Sequence, residues 1–316
     1  MSKKYAFLFP GQGAQAPGMM KDICAASRPA TACLFRFSET AGEDISKLLW
    51  ETDAETLSRT DRSQLAILSA SLIAAAALEE VGIVPSAAAG FSLGEFSALY
   101  ASGVLSFEDA VRVVKQRGII MQRVCGSIAE RSGGNPPGMA AVVGLPPEKV
   151  AEIAEAGGVY AANLNSPRQT VVSGTAEGLK KAETLCTAAG ARRFLRLAVA
   201  GPFHSPLMQE AADEFEKALA DVPFNDPKIA LFSNVSGKRV ASGAEAKQAA
   251  VRHLVQRVRW TDEEDALAAF MQSDGGSWAI LEPGPGKVLS GLWKDSPWAD
   301  KWTVSPCGTA GMIAVL

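Results

Sequence analysis

Apolar positions along the chain fall into short unbroken runs near both ends and looser, helix-spaced patterns between them. Tyr5–Phe9 is a continuous apolar run closed by Pro10-Gly11, which predicts a buried first strand followed by a glycine loop. Gln64–Val81 is rich in Ala and Leu, is apolar on most sides and ends at Gly82, so it reads as a helix buried in a core. Ser86–Ala89 is a weak strand, because alanine is a poor strand former; its support is the turn motif that follows. Glu95–Ala101 then predicts a helix stopped near Gly103, and Phe107–Cys125 another.

Between Glu130 and Gly138 the stretch Arg-Ser-Gly-Gly-Asn-Pro-Pro is the most linker-like in the chain, and the pattern changes after it. Met139–Val143, Val159–Asn163, Thr170–Ser173 and Arg193–Leu197 read as strands, with helices at Pro147–Ala156 and Ala176–Ala189. The order β-α-β-β-α-β is that of a small ferredoxin-like unit. The expected organisation is a large α/β body formed by residues 1–127 and 199–316, with the small subdomain inserted at 128–198.

Composition narrows the class. With 316 residues, 47% hydrophobic and 21% charged, the chain has an ordinary globular make-up and enough length for a large core. A net charge of -3 gives no argument for nucleic acid or a membrane surface. The apolar run at Tyr5–Phe9 is shorter than a secretory signal core, and Leu65–Leu78 falls short of the roughly 20 residues that span a bilayer. Five cysteines without a C-x-x-C pair suit free thiols, so a reduced, cytoplasmic setting is expected.

Gly90-Phe91-Ser92-Leu93-Gly94 fits G-x-S-x-G between a strand and a helix. A sharp strand-to-helix turn lifts a serine oxygen clear of the backbone, small flanking residues relieve the crowding, and the Leu93 N–H can face a developing oxyanion. The competing reading is a glycine-flanked turn with a capping serine. A serine nucleophile needs a base, and the chain holds two histidines. His204 sits in the rigid loop Gly201-Pro202-Phe203-His204-Ser205-Pro206, while His253 falls in Ala249–Val258, read as a helix, and is expected to be a surface or half-buried histidine. Loop placement favours His204. The only aspartate between Ser92 and His204 is Asp109, at a helix start beside Glu108, so no carboxylate is a convincing third member. A backbone carbonyl could orient the imidazole instead.

Gly11-Gln12-Gly13-Ala14-Gln15-Ala16 formally fits the dinucleotide fingerprint, but Pro17-Gly18 would break the helix that must receive a pyrophosphate. The alternative is a loop that brings the Gln12 amide to a neighbouring site. Arg117 shares a helix face with Ala110, Val114, Met121 and Val124. Spacing alone favours a side chain that snorkels to the surface; the functional reading is a planar fork gripping a carboxylate.

Taken together these residues resemble the malonyl-CoA:acyl carrier protein transacylase family. The matching segments are Phe9–Gln15, Gly90–Leu99, Gln116-Arg-Gly with Met121-Gln122, Asn163–Pro167, Gly201–Ser205, Ser233–Gly237 and Gly284–Leu292, in the family's order over nearly the whole chain. The resemblance implies an α/β-hydrolase-like body with a parallel sheet. It implies Ser92 as nucleophile, His204 as base, Gln12 and Leu93 as the oxyanion hole and Arg117 as the malonyl carboxylate clamp. Gln64 would line the same pocket, Asn163 and Asn165 would face it from the small subdomain, and a main-chain carbonyl near Leu254–Gln256, taken as that of Gln256, would orient the histidine. Phe91 stands where the family usually has histidine, which bears on how the substrate carboxylate is solvated and on strict malonyl selectivity.

The implied reaction moves a malonyl group from malonyl-CoA to an acyl carrier protein, within fatty-acid or polyketide synthesis, with no cofactor beyond the coenzyme A thioester substrate and no metal. A monomer is expected, with neither nucleic acid nor membrane as partner. Arg168, Arg192, Arg193 and Arg196 are candidates for a basic rim facing an acidic carrier. A thioester hydrolase on the same scaffold and a dinucleotide-binding oxidoreductase are the alternatives.

Overall fold

The apolar run at the N-terminus becomes the third strand across a sheet because both of its faces find helices to cover them. The computed structural model describes residues 3–316. Its larger sheet consists of β1 (Lys4–Phe9), β2 (Ala87–Gly90), β7 (Ala230–Ser233), β8 (Lys238–Arg239), β9 (Trp278–Glu282) and β10 (Val304–Pro306), in the order β10-β9-β1-β2-β7-β8. All neighbours run parallel except the short edge strand β8. Phe7 and Phe9 point into one core layer with Ala88 and Leu281, while Ala6 and Leu8 point into the other with Ala87, Ala89 and Phe232. Two buried faces remove the need for alternation, which is why β1 reads as an unbroken apolar run. The alanines of β2 are fully buried at the centre of this sheet, where tertiary contact overrides weak strand propensity.

Helix Thr60–Glu80 lies against one face of the sheet together with helix Phe107–Arg131, and both contribute to the larger core. It begins four residues before the expected Gln64 and is long and apolar enough to cross a membrane, contrary to the reading of Leu65–Leu78; 78% of its most apolar window is buried inside the fold. Helix Phe107–Arg131 continues past Cys125, where the sequence ended it, so residue 128 falls within it. Helix Trp260–Asp274 covers the opposite face through Trp260, Leu267 and Met271.

The second sheet carries β3 (Gly138–Val143), β4 (Tyr160–Ser166), β5 (Gln169–Gly174) and β6 (Arg193–Arg196), antiparallel throughout in the order β4-β5-β3-β6. Helices Pro147–Gly157 and Ala176–Ala188 complete the β-α-β-β-α-β chain order. Ala140, Val142 and Val172 face these helices, and Met139, Ala141 and Val171 face the large core. Backbone bonds from Leu164 N–H to the Val258 carbonyl (2.9 Å) and from Val258 N–H to the Ala162 carbonyl (2.8 Å) stitch β4 to the segment that precedes helix Trp260–Asp274.

Candidate active site

Ser92 follows β2 directly, in a bend that only glycine neighbours permit. A Cβ on Gly90 would lie 2.1 Å from the Gly94 carbonyl, and one on Gly94 would lie 2.0 Å from the Phe9 oxygen. Ser92 itself has φ 51°, in the left-handed region that L-residues avoid. Helix Gly94–Ala101 then starts at once, with Glu95 N–H bonding to the Ser92 carbonyl at 3.0 Å. This is the strained strand-to-helix turn that exposes a serine oxygen.

Asn234, just beyond β7, clamps the bend. Its Oδ1 accepts the Ser92 N–H at 2.6 Å, and its Nδ2 donates to the Gly90 carbonyl and, at 2.9 Å, to Glu263 Oε2. The Ser92 N–H is therefore committed. The N–H groups of Gln12 and Leu93 have no acceptor among the described residues, which leaves both donors unused. Gln12 is brought close because Gly11 packs on the elbow: a Cβ there would meet the Phe91 carbonyl at 2.5 Å. The Gln12 side chain donates to Ser63 Oγ at 2.8 Å, tying the loop to helix Thr60–Glu80. The loop runs on through turns to a helix of only six residues, Lys21–Ala26, so no long helix begins where a pyrophosphate would need one.

The other half of the pair comes from the loop before the helical segment at Pro206. His204 has φ 56°, and Gly201 is held against helix Phe107–Arg131 so closely that a Cβ would lie 2.2 Å from Cys125 Sγ. His204 Nε2 stands 2.9 Å from Ser92 Oγ, and Nδ1 stands 2.8 Å from the His253 carbonyl. A carbonyl only accepts, so Nδ1 carries the proton and Nε2 is left free to take one from serine. Burial, and after it the Arg117 charge, pull the His204 pKa down to about 4 against the opposing pull of the carbonyls of His253 and Gln256. The ring is thus neutral near pH 7, as a base must be.

The principal acceptor for Nδ1 is the carbonyl of His253, one residue before the expected segment; Gln256 contributes less and lines the cavity beside His204. His253 also departs from its expected place. It caps helix Gly243–Arg252 rather than lying within a helix over 249–258, and it is fully buried.

Arg117 is 1% exposed and does not snorkel. Its Nη1 donates to Gln64 Oε1 at 2.7 Å, its guanidinium carbon lies 5.3 Å from the centre of the Phe96 ring, and its Nε has no partner among the described residues. Burial lowers its pKa to about 10, partly offset by Glu95, so it remains a cation at neutral pH. A buried guanidinium fork with an unused donor has the chemistry to grip a carboxylate.

Phe91 is half-buried and packs edge-on against Trp260, ring centres 5.5 Å apart. Asn163 and Asn165 are buried in β4; Asn165 Nδ2 donates to Gln169 Oε1 at 2.7 Å, and neither side chain bonds to Ser92, His204 or Arg117. The approach to His204 is a cavity of about 660 Å³ bordered by Tyr160, Pro206, Gln256, Arg257 and Arg259. Of the basic residues expected at a rim, Arg168, Arg192, Arg193 and Arg196 are exposed but outside this cavity; Arg257 and Arg259, which border it, escaped the sequence reading. So did Glu95, Asn234 and Glu263, although Glu95 and Asn234 lie inside quoted motifs.

Comparison with known proteins adds to the geometry. The sequence matches the acyl transferase domain family over residues 6–274, which makes the chain an acyltransferase built on a parallel α/β sheet. It is 40% identical over 297 residues to the malonyl CoA-acyl carrier protein transacylase of Escherichia coli K12, covering 92% of each chain. A solved malonyl-CoA:acyl carrier protein transacylase from Xanthomonas oryzae superposes with a TM-score of 0.90 at 34% identity, covering 99% of this chain and 97% of that one. A malonyl-transacylase solved in complex with a type II polyketide acyl-carrier protein superposes with a TM-score of 0.86 at 33% identity, covering 99% and 98%. The chain belongs to the malonyl-CoA:acyl carrier protein transacylase family.

Proposed function

We propose that the chain transfers a malonyl group from malonyl-CoA to the phosphopantetheine thiol of an acyl carrier protein, with Ser92 as nucleophile and His204 as its base. The reading rests on the 2.9 Å contact between Ser92 Oγ and the unprotonated Nε2 of His204, with a buried cation nearby at Arg117. Its substrate and partner follow the relatives named above, one of which was solved with its carrier protein.

In the first half-reaction the malonyl carboxylate pairs with Arg117. His204 Nε2 takes the Ser92 proton as the oxygen attacks the thioester carbonyl. The oxyanion is received by the N–H groups of Gln12 and Leu93, each worth about 3 kcal/mol of barrier. The carbon–sulfur bond breaks, coenzyme A leaves with the proton from His204, and the serine ester remains. The carrier thiol then gives its proton to His204, attacks the ester and regenerates Ser92, a ping-pong cycle.

Intact mass spectrometry after incubation with malonyl-CoA tests the assignment. A malonyl adduct is expected on the wild type and none on Ser92→Ala; an adduct on the variant would remove Ser92 from the role. Thioester hydrolysis on the same scaffold is the second reading. The buried Arg117 disfavours it, since a general acyl hydrolase has no use for that cation, and the ratio of carrier transfer to free malonate separates the two.

A further inference from the structure

His253 is a fully buried imidazole whose ring the mechanism above leaves idle. Among the described residues neither ring nitrogen has a hydrogen-bond partner, and the ring lies 4.9 Å centre to centre from that of His204. Glu95 Oε2, also buried and without a hydrogen-bond partner among the described residues, stands 3.8 Å from His253 Nε2. Three unpaired polar atoms in one dry contact are costly, and such a cluster beside a reactive pair calls for a role.

The need is visible in the charges around the dyad. His204 must become an imidazolium in each half-reaction, yet the charge it feels most is the cation Arg117, and no carboxylate bonds to it. The groups facing the pair from the surrounding elements are Arg117 with its partner Gln64, Glu263 of helix Trp260–Asp274, the Ser233 hydroxyl at the end of β7 and the Asn234 N–H just beyond it. Glu95 is the acid that lies directly against the His253 ring.

We propose that Glu95 and His253 form a buried positioning pair. The His253 ring, engaged by the Glu95 carboxylate, fixes the peptide carbonyl on which His204 Nδ1 rests, and the carboxylate supplies the negative charge that steadies the His204 imidazolium. The inference rests on the reading of Ser92 and His204 as nucleophile and base. The missing third member of the triad is thereby divided between a main-chain carbonyl and an acid one residue removed. The 3.8 Å gap exceeds a hydrogen bond and closes when the ring donates its Nε2 proton to the ionised acid. Burial raises the Glu95 pKa to about 7, and Ser233, Asn234 and Arg117 hold it from rising further, so the acid ionises after His204 has already become a free base.

The pH profile of malonyl loading, followed as the pre-steady-state acylation rate of the full chain, tests the pair. Peptide mapping of the adduct comes first: malonyl on a residue other than Ser92 overturns the dyad reading, whereas loading on Ser92 with the wrong profiles overturns the pair alone. The wild-type rate should rise with pH through about 7 as Glu95 ionises. Glu95→Gln should lose that rise, falling about tenfold behind the wild type at high pH while matching it at low pH. His253→Phe, which keeps the carbonyl and an aromatic ring but no donor, should lose the same rise, and His253→Gln, whose amide can donate to the acid, should restore most of it. The Glu95→Gln/His253→Phe double variant should be no slower than either single one. Should Glu95→Gln fold poorly, the Phe and Gln variants at 253 carry the test. Wild-type-like pH profiles in the variants, or losses that simply add, overturn the pair.

Discussion

The two sheets of this molecule are held by different kinds of contact. The antiparallel sheet β4-β5-β3-β6 is assembled from neighbours in sequence: its strands and two helices all lie between Gly138 and Arg196, and its own core of Val142, Val150, Val172 and Leu179 is local. The catalytic end of the parallel sheet draws on the whole chain. Ser92 meets His204 across 112 positions and Asn234 across 142, and Gly94 packs against the backbone of Phe9. Local sheets tolerate change one contact at a time. The elbow, where several distant segments converge without slack, does not.

The sharpest way to break this contrast is at its glycines. Gly94→Ala places a Cβ against the Phe9 carbonyl and should cost about 3 kcal/mol or more, or prevent folding outright. Gly138→Ala, at the start of β3 with open space around it, should stay within about 0.5 kcal/mol of the wild type. Chemical denaturation of both variants checks the pair, and equal losses would refute the contrast.

Next in size is the clamp. Arg117→Ala should reduce malonyl loading by about 100-fold, the scale of a lost charge-assisted contact, while acetyl loading rises relative to it. A malonyl preference that survives the substitution removes Arg117 from carboxylate recognition. Protein melting temperatures against pH probe the same buried charges. Glu95 and Glu264 have folded pKa values raised by burial to about 7 and about 8, so their contribution is complete below the ordinary carboxylate range and is lost as pH rises through those values. His204 and His253 work in the opposite sense, but only below their ordinary value of 6.5. From about pH 6.5 to 8.5 the melting temperature should therefore fall, and Glu264→Gln should flatten the slope. The smallest effect belongs to the rim: Arg257→Ala should raise the KM for carrier protein about threefold at low salt and leave loading from malonyl-CoA unchanged.

The same division separates what could be read in the sequence from what could not. The elements between Met139 and Leu197 were legible to within a few residues at each end, because hydrophobic period and turn residues are local signals. The elbow was legible too, since G-x-S-x-G states its own backbone requirement. The polar network beneath it was not. Glu95 sits in the first turn after Ser92, where an acid is ordinary helix-start chemistry, and nothing nearby announces that the turn is buried on all sides. His253 has arginine one residue before it and another four residues after it, which reads as a surface; it is buried because helix Gly243–Arg252 ends there and the chain turns inward. Arg117 showed the reverse problem: its apolar stripe was visible, but whether the side chain escapes to water depends on Gln64 and Phe96, on other helices.

Among the described non-glycine residues, positive φ occurs at Met20, Ser92 and His204. An isolated segment of chain shuns that conformation by about 1–2 kcal/mol per residue, so neither half of the reactive pair is pre-shaped by its own neighbours. Reactivity is consequently a property of the finished molecule. A nascent or partly melted chain would display a serine and an imidazole without holding the two in register.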